Sequence, residues 1–209
     1  MTAKPSRYAA RTRVPRSARR RASRRRTALL LGVLGTALVA AVIVLKPTVD
    51  EAIKEITLPL RHEDVIKQQA ADKDLDPALV AAVIYRESKF RDDVTSKAGA
   101  KGLMQILPST AQFIARRTGG TEFELRDLGD PQINISYGSW YLRYLLDRYD
   151  GNVAAAVAAY NAGHERVDDW GGSNLTLSNI RFAETQDYTR DVLDKRADYA
   201  DKYKSELGL

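Results

Sequence analysis

An uncharged run of 18 residues, Ala28 to Leu45, constrains this chain more than any other feature, because of what precedes it. The first 26 residues contain ten arginines, Lys4 and no acidic side chain. A helix rises about 1.5 Å per residue, so the apolar run would cover nearly all of a hydrocarbon core that is roughly 30 Å thick. The sequence therefore predicts a basic tail at residues 1–26 and a membrane-spanning helix at residues 27–45.

The flanking charges predict the orientation of that helix. Positive segments remain on the cytoplasmic side, so we expect the tail in the cytoplasm, against anionic lipid headgroups, and everything from Lys46 onward outside. A signal peptide cleaved after Val39-Ala40-Ala41, which would release a secreted form, is the alternative. The apolar residues 42–45 would follow that cut, and they favour an uncleaved, single-pass anchor.

The charge of the remaining chain argues against a nucleic-acid-binding domain. Of the 33 lysines and arginines, 11 lie in the tail, which leaves 22 basic against 27 acidic side chains in the other 183 residues. A domain that neutralises phosphates carries the opposite balance. The chain also lacks cysteine, which excludes disulfides, thiol nucleophiles and lipid-modified cysteine anchors.

Beyond a linker at residues 46–60, the sequence is a succession of helical patterns without alternating strands, which predicts an all-α domain at residues 61–209. The fifth pattern, NVAAAVAAY, is so rich in alanine that a neighbouring helix can approach it closely. The helices are expected around Val65, before Glu87, from near Pro108, around Trp140 and Tyr144, at NVAAAVAAY, and from about Asp187 onward.

The helix before Glu87 carries a carboxylate on its apolar stripe. Val80, Val83, Ile84 and Glu87 follow the i, i+3, i+4, i+7 spacing of a core-facing surface. A glutamate held against apolar groups keeps its proton near neutral pH and can donate it to a leaving oxygen. The alternative is that Glu87 neutralises a neighbouring cation or lies in water at the helix end.

Other kinds of catalysis have little support in the sequence. His62 and His164 lie near no serine in a nucleophile motif, and they form no metal-ligand spacing, so we expect exposed histidines at a helix start and in a loop. The glycines match no nucleotide-binding loop. The sequence therefore predicts neither a metal nor another cofactor.

Several short motifs together resemble the soluble lytic transglycosylases, lysozyme-like enzymes that cut the glycan strands of bacterial peptidoglycan. The motifs follow the order of that family over about residues 62–195, and as a set they are specific. They are Glu87-Ser88, SKAGAKGLMQ from Ser96, Asp130-Pro131 with Asn134-Ile135, AYNAG from Ala159, and Glu184 with Tyr188.

The resemblance implies a lysozyme-like fold and a role for each matching residue. Glu87 would be the single catalytic acid and base, and Ser96 would polarise the reacting N-acetyl group or orient Glu87. Gln105 would hydrogen-bond the glycan. One wall of the groove would be formed by Gly102, Leu103, Met104 and Gln105.

Four further residues would complete the site in the resembling family. Tyr160 and Asn161 would hold Glu87 and the substrate, and Glu184 and Tyr188 would close the site from the last helix. Relatives often have methionine where Leu107 stands, a change between apolar residues of similar size that affects subsite detail.

Taken singly, several of the matching residues also have a purely structural explanation. Gly102 could be a helix-terminal glycine, and Leu103 and Met104 could belong to the core. Gln105 and Asn161 could cap helices, Tyr160 could be a core residue, and Glu184 could favour a helix start through the helix dipole.

The resemblance further implies a reaction without a second carboxylate. The N-acetyl group of the substrate would stabilise the reacting carbon, and the muramyl 6-hydroxyl would attack intramolecularly, leaving a 1,6-anhydromuramyl end. A hydrolase of the goose-type lysozyme kind is the nearest alternative. A wall-binding scaffold that holds glycan without cutting it is the alternative from a different class.

Overall fold

The computed structural model describes residues 34–36, 42–46, 48, 51–120 and 122–209. The basic tail lies outside these residues, and so does the predicted membrane-spanning helix as a whole, of which only 34–36 and 42–45 are described, as helical. Within the described residues, no helix is both long enough and apolar enough to cross a membrane. The chain divides into two compact units, Met1–Lys54 and Glu55–Leu209, and the second contains all the predicted site residues.

The second unit is built from α-helices and short 3₁₀ turns. Its described residues contain only isolated β-bridges, Thr95 with Lys101 and Lys101 with Ile106, which confirms the all-α prediction. The α-helices are α1 (Glu63–Asp72), α2 (Pro77–Ser88), α3 (Pro108–Thr118), α4 (Pro131–Arg148), α5 (Val153–Ala162), α6 (His164–Trp170), α7 (Ala183–Lys202) and α8 (Lys204–Leu207). The 3₁₀ turns are Leu125–Gly129, Gly172–Asn174 and Leu177–Asn179.

Side-chain caps fix where the central helices begin. The Asp76 carboxylate accepts a hydrogen bond from the Ala78 N–H at 2.8 Å, and Pro77 occupies the first turn, where its missing N–H removes no helical hydrogen bond. Asp130 and Asn152 cap α4 and α5 in the same way, each by accepting from the N–H three residues on. Each cap satisfies a backbone donor that the helix itself leaves free.

Helix α5 lies at the centre of the core, where it contacts α4, α6 and α7. Its residues 155–159 are fully buried, and four of these five are alanines. Small side chains let neighbouring helices pack closely, as the sequence predicted for this segment. Helix α7 also packs along α2, the helix that carries Glu87, and thereby faces the candidate acid.

Two expectations about helix starts were wrong. Helix α7 begins at Ala183 rather than near Asp187, because its first turn contains a single buried side chain, Thr185, and no apolar periodicity. His164 lies at the start of α6 rather than in a loop. Gly163, at φ +88°, ends α5 in a conformation that favours glycine, and the chain then enters a new helix at once.

The end of the predicted linker is held against the second unit by three tyrosines. The hydroxyls of Tyr85, Tyr199 and Tyr203 donate to the carbonyl oxygens of residues 57, 59 and 58, at 3.1, 2.6 and 2.7 Å. The side chain of Leu58 is 2% exposed and belongs to the core. Residues 57–59 are therefore a packed part of this unit.

Candidate functional site

Glu87 is the penultimate residue of α2, and its side chain is largely shielded from water. The Tyr188 hydroxyl, from α7, donates a hydrogen bond to Oε1 of Glu87 at 2.6 Å. Burial raises the pKa of Glu87 to about 7, although the hydrogen bond from Tyr188 and the charge of Arg86 both pull the pKa down. Burial outweighs both, so a large fraction of Glu87 is protonated at neutral pH.

Arg86, the neighbouring cation, makes its main contacts with α7. Its guanidinium lies 5.2 Å from the ring centre of Tyr188, and its Nε is 3.2 Å from Oδ2 of Asp191, close enough for an ion pair but not aligned as a hydrogen bond. Arg86 thus has its own counterion. The charge of Arg86 lowers the pKa of Glu87 by less than burial raises it.

Tyr160 joins α5 to the segment that contains Gly102 and Gln105. Its hydroxyl donates to the carbonyl oxygen of Met104 at 2.9 Å. The pKa of Tyr160 is raised, first by burial and then by the negative charge that Glu87 would carry, so the phenol lies within electrostatic reach of Glu87. Tyr160 and Tyr188 therefore approach Glu87 from two different helices.

We call residues 101–106 the site loop; its shape depends on Gly102 and Asn134. Gly102 has φ +75°, and a Cβ at this position would lie 2.7 Å from both the Leu128 carbonyl oxygen and Cγ of Asn134. Asn134, fully buried on α4, accepts from the Met104 N–H at 2.8 Å and donates to the carbonyls of Lys101 and Leu128 at 2.9 and 2.8 Å. One amide thus bonds three backbone groups, of which the Lys101 carbonyl also accepts from the Ile106 N–H at 3.1 Å.

Two side chains of the site loop point into the core. Leu103 and Met104 are 1% and 0% exposed, and a Cβ on Gly138 of α4 would lie 2.7 Å from Cβ of Met104. The loop therefore packs directly against the backbone of α4. Leu103 and Met104 can present only backbone groups to a groove.

Gln105 is held by both hydrogens of its amide. Its Nε2 donates to the carbonyl oxygens of Val94 and Gly102 at 2.9 and 2.8 Å, and its backbone is left-handed, at φ +47°. An amide nitrogen has two hydrogens to donate. With both engaged, the side chain can offer a ligand only its acceptor oxygen, Oε1.

Two other predicted site residues have partners other than Glu87, and a third is exposed. The Ser96 hydroxyl accepts from the Ala100 N–H at 3.1 Å, within its own turn. Asn161 is exposed, and its Oδ1 accepts from the Thr185 hydroxyl at 2.8 Å. Glu184 is exposed in the first turn of α7. The structure thus brings Glu87, Tyr160 and Tyr188 together, whereas the roles of these other three residues stay predictions.

The sequence motifs did not assign two residues that shape this site. Asn134 was part of a matching motif but received no role; a polar side chain between Ile133 and Ile135 was the available signal. Tyr141 was recognised only as part of a helical pattern, yet its ring centre lies 5.6 Å from that of Tyr160. Burial is the main cause that raises the pKa of Tyr141 to about 12.

Comparisons with known proteins agree with this arrangement. The soluble lytic murein transglycosylase of Escherichia coli (strain K12) is 33% identical over 147 residues, which are 66% of this chain and 23% of the relative. Membrane-bound lytic murein transglycosylase F of Pseudomonas fluorescens (strain Pf-5) is 36% identical over 115 residues, 52% of this chain and 22% of the relative.

A solved structure shows the same fold. It is that of an inactive Glu-to-Gln mutant of the lytic transglycosylase Slt from Pseudomonas aeruginosa, with a TM-score of 0.68 and 31% identity over 73% of this chain and 26% of that one. This chain thus spans about a quarter of the length of the relatives it matches. Residues 64–182 match the transglycosylase SLT domain family, so the chain belongs to that family.

Proposed function

We propose that the second unit cleaves the β-1,4 bond between N-acetylmuramic acid and N-acetylglucosamine in peptidoglycan, with Glu87 as the single acid and base. The main support for this proposal is the environment of the Glu87 side chain. Its pKa of about 7 leaves it partly protonated at neutral pH, and Tyr188 donates to one of its two oxygens. An acid of this kind can protonate a leaving oxygen and then act as a base.

The hydrogen bond from Tyr188 determines which oxygen of Glu87 carries the transferable proton. Oε1 accepts from the Tyr188 hydroxyl, so the proton of the neutral acid resides on Oε2. Once Glu87 has given up that proton, the same hydrogen bond stabilises the carboxylate. The Tyr188 hydroxyl therefore serves both halves of the reaction.

The proposed reaction has two steps, and one proton passes through Glu87 in each. First, Oε2–H protonates the glycosidic oxygen while the bond from that oxygen to C1 of the muramyl residue breaks. The N-acetyl oxygen of the substrate stabilises the electron-poor C1. Then the Glu87 carboxylate accepts the proton of the muramyl 6-hydroxyl as its oxygen bonds to C1, which forms a 1,6-anhydro ring without consuming water.

A single-carboxylate mechanism agrees with the surroundings of Glu87. In the described part of the chain, the influences on its pKa are burial, the Tyr188 hydroxyl and Arg86, with no second carboxylate among them. Glycosidases that use two carboxylates hold them about 5–9.5 Å apart, on either side of the bond that is cleaved. The relatives support the activity, since they are named as lytic murein transglycosylases, and a Glu-to-Gln change inactivates one of them.

We propose that substrate contacts come from the site loop and from α5 and α7. Gln105 offers its Oε1 to a glycan hydroxyl, and the backbone of residues 102–104 lines one wall. Ser96 and Asn161 act on the N-acetyl group and the glycan, and Glu184 closes the groove from the exposed first turn of α7. These roles follow from the motifs rather than from contacts with Glu87.

We also propose that residues 27–45 anchor the chain in the cell membrane, with residues 1–26 in the cytoplasm and the second unit outside. The charge asymmetry and the apolar run support this arrangement, and one relative is named as membrane-bound. Sodium carbonate extraction of membranes should leave the full chain in the pellet. Release of a shortened, soluble chain would instead support signal-peptide cleavage.

Mass spectrometry of digestion products tests the activity. The full chain in detergent should release muropeptides with 1,6-anhydromuramyl ends, and Glu87→Gln should reduce the rate by about 10²–10⁴-fold, the usual worth of a general acid. Glu165→Gln, an exposed carboxylate on α6, is the matched control and should keep the wild-type rate.

The other possible results of this digestion experiment point to different functions. Products heavier by one water would identify a hydrolase. An undiminished rate in Glu87→Gln would overturn the assignment of the acid. Glycan binding without any product, in wild type as in the variant, would favour the wall-binding scaffold.

A further inference from the structure

A cavity of about 490 Å³ lies where the end of the predicted linker meets the C-terminal end of α2. Its lining includes three cations, Arg61, Lys89 and Arg91, against a single acid, Glu55. Beyond the basic tail the chain has 22 basic and 27 acidic side chains, so this excess of cations is local. We call this cavity the cation pocket.

Polar contacts hold the walls of the cation pocket together. The Tyr85 hydroxyl, from α2, donates to the carbonyl oxygen of Thr57 at 3.1 Å and so fixes the linker end against the helix. His62 Nε2 lies 3.1 Å from Oδ1 of Asp92, and each of these two residues directly follows one of the arginines of the pocket. The contact between them therefore keeps the two arginine-bearing segments side by side.

The three cations of the pocket are available to an anion. In the part of the chain that the structure describes, none of them forms an ion pair, and all three are exposed. Arg91 donates from Nε to the carbonyl oxygen of Ser88 at 3.1 Å, which leaves both of its terminal amino groups free to bind a ligand. Cations that converge on one cavity without counterions create a positive potential there.

The chemistry of the lining suits a phosphate that is linked to a hydroxyl-bearing group. Arginine binds phosphate through paired N–H donors, and a phosphate has enough oxygens to meet several cations at once. Glu55 would repel a bare anion, but a carboxylate accepts hydrogen bonds and can bind a hydroxyl beside the phosphate. The volume of the cavity falls within the roughly 300–1,000 Å³ that is usual for small-molecule sites.

An apolar side chain at the same cavity favours a lipid over a soluble phosphate. Ile56 is 80% exposed, more than any other large apolar side chain among the described residues, and it lines the cation pocket. Cations beside an exposed apolar group are typical of surfaces that bind at a membrane interface, where acyl chains lie next to phosphates. A soluble phosphate polymer offers nothing apolar to Ile56.

The place of the pocket in the sequence also favours a lipid. Ten residues lead from Leu45, the end of the apolar run, to Glu55 at the pocket, and a chain of that length spans at most about 35 Å. A folded unit of about 155 residues has a radius of gyration of about 15 Å. The proposed anchor therefore keeps the pocket within about one molecular diameter of the membrane surface.

We propose that the cation pocket binds the headgroup of an anionic phospholipid in the outer leaflet of the membrane. Tyr85, at the pocket, and Glu87 are two residues apart on α2, so their side chains leave the helix about 200° apart. A bound headgroup would thus hold the second unit with Glu87 directed away from the bilayer, toward the wall. The inference rests on the proposed membrane anchor, which brings the pocket within reach of lipid.

Thermal unfolding of the full chain in detergent micelles tests the proposal. Phosphatidylglycerol added to the micelles, compared with phosphatidylcholine, should raise the Tm of the second unit by about 3–5 °C, because a ligand that binds only the folded state stabilises it. The basic tail lies outside the second unit, so its own contacts with lipid persist on unfolding and do not contribute to the shift.

A double variant removes two cations from the pocket. Arg61→Gln combined with Lys89→Gln should reduce the phosphatidylglycerol shift to below about 1 °C, measured against the same variant in phosphatidylcholine. Lys97→Gln combined with Arg116→Gln is the matched control, because it removes the same charge from exposed positions outside the pocket and should keep the full shift. Equal shifts in the two double variants would overturn the proposal.

A further sample distinguishes lipid from soluble phosphate. Sodium polyphosphate, added to phosphatidylcholine micelles at the same phosphate concentration, should leave the Tm unchanged. An increase equal to that with phosphatidylglycerol would assign the pocket to a soluble phosphate polymer and overturn the lipid assignment.

The failure of this inference can be told apart from the failure of the proposed anchor. If carbonate extraction releases the chain while the pocket variant alone loses the Tm shift, the anchor is wrong and the pocket still binds lipid. If the chain stays in the pellet and its Tm does not respond to phosphatidylglycerol, the anchor stands and the inference fails.

Discussion

The site loop and a row of aromatic rings on α4 are held in place by different interactions. This row, which we call the ring row, consists of Trp140, Tyr141 and Tyr144 of α4 and Phe113 of α3. In the site loop, the buried amide of Asn134 is hydrogen-bonded to backbone groups at fixed distances, and Gly102 supplies a left-handed backbone. In the ring row, partly exposed aromatic side chains contact one another over ring distances of 5.4–6.1 Å. The interactions of the site loop fix the path of the backbone, whereas those of the ring row fix only the positions of side chains at the surface.

This difference determines how each region should respond to mutation. A buried hydrogen-bonding group without its partner costs its full desolvation free energy, so small changes in the site loop should affect the whole unit. A ring in a partly exposed row can be replaced while the backbone stays in place. We therefore expect large stability effects from the site loop and small ones from the ring row.

Asn134→Ala should have the largest effect. It leaves the Met104 N–H and the Leu128 carbonyl without this partner, and each such group costs about 1–3 kcal/mol, whereas the Lys101 carbonyl keeps its bond from the Ile106 N–H. We expect the free energy of unfolding to fall by about 3–5 kcal/mol in urea titrations. Gln132→Ala, an exposed change on the same helix, should stay within about 0.5 kcal/mol of wild type. A loss below about 1 kcal/mol in Asn134→Ala would mean that water replaces the amide and that the loop is less constrained than we argue.

Gly102→Ala should destabilise the unit by about 2–4 kcal/mol, because it combines a left-handed backbone with a collision at Leu128 and Asn134. Gly119 offers a matched control: it has nearly the same dihedral, φ +76°, with no atom within 4 Å of its would-be Cβ. Gly119→Ala should therefore cost only the conformational part, about 1 kcal/mol. Equal losses in the two variants, measured by thermal and urea unfolding, would show that the close contact at Gly102 relaxes at little cost.

The contrast between the two regions also explains what could be predicted from the sequence. Caps and apolar periodicity are local signals, and they located α2 and the core segment α5 correctly. The first turn of α7 buries only the polar Thr185 and lacks an apolar signal, so its start was placed too late. Helix α6 follows α5 across a single glycine, which a pattern search reads as a loop.

The site was predictable where its residues belong to contiguous motifs. Glu87 and Tyr188 were named, but their 2.6 Å hydrogen bond depends on the packing of α7 along α2, which no local pattern encodes. The burial of Leu103 and Met104 likewise depends on the close approach permitted by Gly138. The ring row of α4 appeared in the sequence only as helical spacing, because its meaning comes from its nearness to Tyr160.

Glu87 should reduce stability as the pH rises. Its pKa is about 7 in the folded chain against an ordinary value of 4.5, so between these values the folded state holds a proton that the unfolded state has lost. Stability therefore falls as the pH rises through this window, by about 3 kcal/mol in total, and the loss is complete above pH 7. Glu87→Gln should be more stable than wild type by about this amount at pH 8 and nearly equal at pH 4. Parallel stability curves for the two proteins would contradict a raised pKa.

Tyr188→Phe should give the smallest of these effects, and it shows most directly which groups set the acidity of Glu87. The Tyr188 hydroxyl donates to the carboxylate and so lowers the pKa of Glu87; its removal should raise that pKa. A hydrogen bond to a charged group is worth about 1.5 kcal/mol or more, so the alkaline limb of kcat against pH should move up by about one unit. Tyr149→Phe is the matched control, because its hydroxyl lies 3.1 Å from Asp168 instead of contacting Glu87. Phe113→Leu should also leave the limb in place, since no residue of the ring row is among the influences on the pKa of Glu87. An unchanged limb in Tyr188→Phe would mean that this hydroxyl does not set the acidity of Glu87, and a limb that moves in Phe113→Leu would mean that the ring row contributes to it.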